Sequence, residues 1–128
     1  MTTDPIADFC SAIQNAAYVK KKEVKMPHSL LKERIAQVML DEGYLEKIEK
    51  IEIGKNKYEL KVVIKEPALI TKIKRISKPG LRQYVGSKEI PNILRGLGIC
   101  ILSTPKGIMA GHRAKKLRLG GELLLAIY

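Results

Sequence analysis

Ile99-Cys100-Ile101-Leu102-Ser103-Thr104-Pro105-Lys106-Gly107-Ile108-Met109-Ala110 is the stretch on which the architecture of this chain turns. Ile99 to Leu102 is an unbroken apolar run of strand length. Unlike an alternating run, it predicts a strand buried on both faces. Ser103 to Gly107 is polar and holds a proline and a glycine, the residues that punctuate strands. Ile108 to Ala110 then resumes an apolar strand. The reading is two strands joined by a polar loop.

That loop carries chemistry as well as a turn. Ser103 and Thr104 set two hydroxyls in a row, each a donor and an acceptor. Lys106 supplies a cation, and Gly107 permits a positive φ and a close approach of the backbone. A plain hairpin turn accounts for the same residues, so the charge around the loop has to tip the balance.

The chain has 128 residues, with 24 Lys+Arg against 13 Asp+Glu, a net charge of +11. At 45% apolar it is no disordered basic tail. No apolar run approaches the roughly 20 residues that span a bilayer, and Met1-Thr2-Thr3-Asp4-Pro5 is acidic where a signal peptide would be basic. The expectation is a soluble intracellular protein that seeks a polyanion. Cutting near Pro67 localises the charge. Residues 1–66 carry 12 cations and 11 acids, net +1. Residues 67–128 carry 12 cations and two acids, Glu89 and Glu122, net +10, with eight of the ten glycines. The second part reads as a lobe that meets phosphate.

The first lobe, 1–66, reads as helix–strand–helix–strand–strand, a small sheet covered by two helices. Asp4 is an N-cap and Pro5 a first helical residue. Ile6, Phe9, Cys10, Ile13 and Ala17 share a helical face, and Lys20-Lys21-Lys22 suits that helix's C-terminal end. Glu23 to Met26 alternates as a strand. Ser29 caps a second helix with Leu31, Ile35, Val38 and Met39 as its stripe and Gly43 at its end. Gly54-Lys55-Asn56 is a turn before a strand that points Tyr58, Leu60, Val62 and Ile64 inward. Beyond the boundary at Glu66-Pro67-Ala68 the second lobe, 67–128, is strand-rich: pieces at Ile73–Ser77 and Arg82–Val85, a helical turn at Ile90–Leu94, the strands quoted above, a basic helix over His112–Leu119 and a last strand from Glu122. The fold class is α+β in two small lobes.

Other residues of the basic lobe join the loop as candidates. Tyr84, between Arg82 and Lys88, suits stacking on a base or ribose, although tyrosine is also ordinary core material. Gly120-Gly121 is a turn or a backbone pressed against a ligand. Glu122 either pairs with a neighbouring cation or accepts hydrogen bonds from base amino groups or hydroxyls. Lys72, Lys74, Arg75 and Lys78 have no balancing acids, and Lys115, Lys116 and Arg118 read the same way. Catalysis is poorly supported. The basic lobe lacks paired carboxylates, no glycine-rich nucleotide loop precedes a helix, and Cys100 lies in an apolar strand that would shield it from a partner such as His112. Two cysteines and two histidines, all far apart, give no metal spacing, and no cofactor is expected.

Thr3-Asp4-Pro5-Ile6-Ala7-Asp8 with Ile13 and Asn15-Ala16, Ile76-Ser77-Lys78-Pro79-Gly80-Leu81-Arg82, Tyr84-Val85, Gly96-Leu97-Gly98-Ile99 into Leu102-Ser103-Thr104-Pro105-Lys106-Gly107, Ala114 with Lys116-Leu117, and Gly120-Gly121-Glu122-Leu123 follow one another in the chain. Together they resemble the bacterial small-subunit ribosomal protein S-eight family, over nearly the whole length. The resemblance implies two α+β lobes and a non-enzymatic protein that binds the central domain of small-subunit ribosomal RNA early in assembly of the subunit's platform. It also implies neighbouring small-subunit proteins as partners, residence on a cytoplasmic or organellar ribosome and, for several bacterial members, repression of translation of their own operon's messenger. It maps RNA contacts to Ser103, Thr104, Lys106, Gly107, Tyr84, Gly120, Gly121 and Glu122, with support near Lys55. Lys78, Arg82, Lys115 and Lys116 add the charge. Pro105 stands where the family loop commonly has a second serine, which removes a hydroxyl and an amide donor. Met109-Ala110-Gly111-His112 replaces a more acidic stretch, and the end, Leu124 to Tyr128, lacks the usual tryptophan. The rival classes are a protein–protein scaffold and a nonspecific nucleic-acid binder.

Overall fold

In the computed structural model, which describes residues 4–128, Asp4 caps helix α1 (Pro5–Tyr18) by accepting a hydrogen bond from the Ala7 amide at 3.2 Å. Met1, Thr2 and Thr3, part of the terminal sequence and of the opening motif read above, lie outside the described residues. The predicted face of α1 is buried at Ile6, Phe9, Cys10, Ile13 and Ala17. The lysines do not close this helix. Val19 is its C-cap and Lys20 turns left-handed at φ 59, so the cluster lies past the last turn, where the helix dipole fades.

Strand β1 (Glu23–Pro27) alternates as its sequence predicts, with Val24 and Met26 inward. Helix α2 (Leu30–Asp41) is capped by Ser29, and Gly43 follows its end. Its buried stripe is Ile35, Ala36 and Met39; Leu31, expected there, is 39% exposed. Strands β2 (Leu45–Gly54) and β3 (Lys57–Ile64) form a hairpin about Lys55-Asn56, and the antiparallel order is β1-β3-β2. Leu60, Val62 and Ile64 face the core, whereas Tyr58, at the turn end of β3, is 38% exposed.

The second sheet holds β4 (Ile73–Arg75), β5 (Tyr84–Val85), β6 (Ile99–Thr104), β7 (Gly107–Ala110) and β8 (Gly121–Ile127). Its order is β4-β8-β6-β7, with β5 also paired to β8. Helix α3 spans Gly111–Lys116, starting one residue before the predicted segment and stopping short of Leu119, because Arg118 is left-handed at φ 57. The helical turn expected at Ile90–Leu94 is displaced. A 3-10 turn forms at Ser87–Glu89, and Ile90, which precedes Pro91, is extended. A further turn at Ile93–Gly96 contains Leu94 and Arg95 at positive φ, so it is not a right-handed helical turn.

β6 is buried on both faces, as its apolar run predicts. Ile101 enters the main core with Phe9, Ile13, Leu60, Leu125 and Ile127, so both sides of the 66/67 boundary contribute to that core. Cys100 and Leu102 enter a smaller core with Ile90, Ala114 and Leu123. An N-terminal cross-tie adds to this: Asp4 also accepts from Arg75 Nε at 3.3 Å, and Gln14 Oε1 accepts from the Ile73 amide at 2.9 Å.

β8 begins with glycine for a packing reason. A Cβ on Gly121 would lie 2.1 Å from the Ser103 carbonyl oxygen, a backbone atom that cannot step aside. Gly86, by contrast, faces open space at an ordinary φ of −79. Gly121→Ala is therefore expected to lower stability by about 1–3 kcal/mol through overpacking, and Gly86→Ala to change it by less than about 0.5 kcal/mol. Urea unfolding of the two variants checks this contrast.

Candidate nucleic-acid interface

The sheet register brings three of the predicted residues into one row. Tyr84 lies opposite Glu122 across β5 and β8, and Glu122 lies opposite Ser103 across β8 and β6. Directly opposed residues in antiparallel strands project from the same face. Ser103 shares that face of β6 with Ile101, two residues earlier, so the row extends the core-forming face beyond the end of the core. Tyr84 is 70% exposed at one end of the row, and Ser103 is half-buried.

Glu122 is held from below and from the side. Ser77 Oγ donates to its Oε2 at 2.5 Å, and Arg82 Nη1 donates to the same oxygen at 3.0 Å. Burial works against the charge, but the Ser77 hydroxyl and the Arg82 guanidinium outweigh it, Arg75 adds to them, and the carboxyl sits below the usual glutamate range. Of the two roles open to Glu122 in sequence, cation pairing is therefore present. Ser77 is fully buried and also accepts from the Gln83 amide at 3.2 Å. It is the residue that sequence reasoning passed over as a position. In sequence it is visible as a member of the motif over residues 76–82, just ahead of the Pro79-Gly80 turn, where Lys78 and Leu81 exchange backbone bonds.

The loop between β6 and β7 is a tight hairpin with Pro105 and Lys106 at its tip. Thr104 is buried, and its hydroxyl is spent on the turn: Oγ1 donates to the Gly107 carbonyl at 2.8 Å and accepts from the Lys106 amide at 3.2 Å. Gly107 supplies the positive φ, 118, that the turn requires. The loop thus presents Ser103 and Lys106, while Thr104 and Gly107 shape it. The Gly120-Gly121 pair is pressed against protein backbone, at Val85 and Ser103 respectively.

The remaining cations are arranged around this row or away from it. Lys78 is exposed on the turn beside Arg82. Lys115 lines a shallow depression with Ser87, Lys88 and Arg118, and Lys116 is exposed at the end of α3. Lys55 stands at the tip of the β2–β3 hairpin, in the other sheet, and shares no hydrogen bond or ion pair with the second-lobe residues among those described.

Burial raises the Cys10 thiol to about 12 and raises Cys100 as well, so both stay protonated. His112 pairs with Glu42 of the first lobe, not with Cys100. Among the described residues no cluster of three or more His, Cys, Asp or Glu is placed to hold a metal ion, and no helix is long and apolar enough to cross a membrane.

Known proteins resemble this chain along its length. Residues 4–128 match the family model described as Ribosomal protein S8. The chain is 86% identical to small ribosomal subunit protein uS8 of Methylacidiphilum infernorum over 128 residues, the whole of both chains. It is 45% identical to uS8 of Koribacter versatilis, covering all of this chain and 98% of that one. It is 48% identical to uS8 of Stenotrophomonas maltophilia strain K279a, over 95% of each. The chain belongs to the ribosomal protein S8 family.

Proposed function

We propose that this chain is a structural constituent of the small ribosomal subunit, and that it binds the central domain of the subunit's RNA and helps assemble the platform. The carrying observation is the row Tyr84–Glu122–Ser103 at the open end of a lobe with a net charge of +10, flanked by Arg82, Lys78 and Lys106. A shallow RNA minor groove displays ribose hydroxyls and base edges, and a row of short polar groups beside an exposed ring suits it. Ser103 offers a hydroxyl, Tyr84 a stacking face, and Glu122 an acceptor already locked in place. Locking removes the entropy cost of ordering that carboxylate on binding. The cations of residues 67–128 displace counterions from phosphates and supply affinity that falls with salt. A second RNA with the same local shape, in the chain's own operon messenger, would meet the same surface and be repressed by occupancy. Neighbouring small-subunit proteins are the remaining partners.

Two measurements test this reading, and a third tests the pairing that locks Glu122. Ser103→Ala removes one hydroxyl contact, about 0.5–1.5 kcal/mol, and is expected to weaken cognate RNA binding by roughly 2–10-fold with an unchanged salt slope. Filter binding across a salt series reads both quantities, and a changed slope with intact specificity overturns that role. Lys115→Ala with Lys116→Ala should instead flatten the slope by up to about two units while sparing the preference for cognate over random duplex; an unaltered slope would mean that these lysines face solvent. Glu122→Gln should cost about 1 kcal/mol of stability at pH 7. The Glu122 carboxyl is held below its unfolded value, so its pairing stabilises above the ordinary glutamate range, about 4.3. That contribution disappears as pH falls through the lower folded value. The gap between variant and parent in unfolding midpoints is therefore expected to close in acid.

A further inference from the structure

The RNA surface occupies one end of β8, at Glu122. At the other end, the amides of Thr71 and Lys72 donate to the Tyr128 carbonyl at 2.8 and 2.6 Å, which fixes the inter-lobe linker there. Six residue steps, from Glu122 to Tyr128, separate the two ends, about 20 Å. Beside the linker lies a groove whose floor is apolar: Ala17 from α1, Ile64 from β3, and Pro67, Ala68 and Ile70 from the linker. Tyr18, Val19 and Leu69, which lie near these residues in the chain without lining the groove, are exposed at 87%, 67% and 57%.

The charge around the groove is one-sided. Lys20, Lys21 and Lys22 line it, and Glu66 is the single acid that does so. Lys22 reaches Glu46 at 3.8 Å, while Lys20 and Lys21 have no ion-pair partner among the described residues. Phosphate would satisfy the lysines and leave the aliphatic floor uncovered. A peptide that presents carboxylates beside aliphatic side chains satisfies both. We infer that this groove docks an acidic, apolar segment of a neighbouring protein in the small subunit, so that the chain holds RNA at one end of β8 and protein at the other. The inference rests on the ribosomal reading above.

The test uses the full chain assembled into small subunits, with Leu69→p-benzoylphenylalanine as a photo-crosslinker and a second form that also carries Lys20→Glu and Lys21→Glu. Gradient sedimentation first establishes that the chain is in the particle. Mass spectrometry then identifies the cross-linked component. The expected result is a cross-link into a protein segment with at least two acidic residues beside apolar ones. Its yield should fall at least fivefold on charge reversal, while affinity for the RNA stays within twofold. A cross-link into RNA, no cross-link from a chain present in the particle, or a yield indifferent to charge reversal overturns the docking site alone. A chain absent from the particle overturns the ribosomal reading and the docking site together.

Discussion

Strand β8 has four boundaries to satisfy at once. One edge pairs with β6 and the other with β5 and then β4, one face enters the main core, and the other enters the smaller core. That constraint explains its composition. Leu123 to Ile127 is apolar throughout because neither face meets water. The two glycines before it allow the backbones of β5 and β6 to close on it at once. Where β8 emerges from the core, at Glu122, its polar side chain stands between Tyr84 and Ser103. The candidate interface is therefore a by-product of where the doubly buried strand runs out of cover.

The same strand end fixes the electrostatics. A carboxylate in a lobe this basic is attractive to its own cations, and Glu122 has Arg82 beside it and Arg75 further off. Ser77 adds a neutral donor beneath it. The result is an acceptor whose position is set before any ligand arrives, in a field that draws polyanions. Arg75 also ties β4 to Asp4 and to the Leu124 carbonyl, so one guanidinium links the helix cap, the sheet and the interface.

Much of this was legible in sequence because the signals were local. Asp4-Pro5 and Ser29 announce helix starts through caps that act within three residues. The run Ile99–Leu102 predicts double burial because, without alternation, it has no polar face to turn toward water. What could not be read depends on distant partners or on direction. Ser77 meets Glu122 across 45 residues of chain. Thr104 looks like a ligand because it sits beside Ser103 in a polar loop; only the geometry of the turn shows its hydroxyl directed back to Gly107. Leu94 and Arg95 carry no glycine-like signal for the left-handed backbone they adopt, and the pull of Pro91 on Ile90 displaced the expected helical turn.

The main core takes Ile6, Phe9 and Ile35 from one side of residue 66 and Ile101, Leu125 and Ile127 from the other. Neither sheet can lose its partner without exposing that shared surface, so the two lobes are expected to melt as one cooperative unit. Ligand binding to the folded form alone then stabilises the whole unit by mass action. A ligand bound to the basic lobe would therefore slow hydrogen exchange at Phe9 and Ile35, on the other side of residue 66. Occupancy of the basic lobe would thereby be converted into protection of the nearly neutral one.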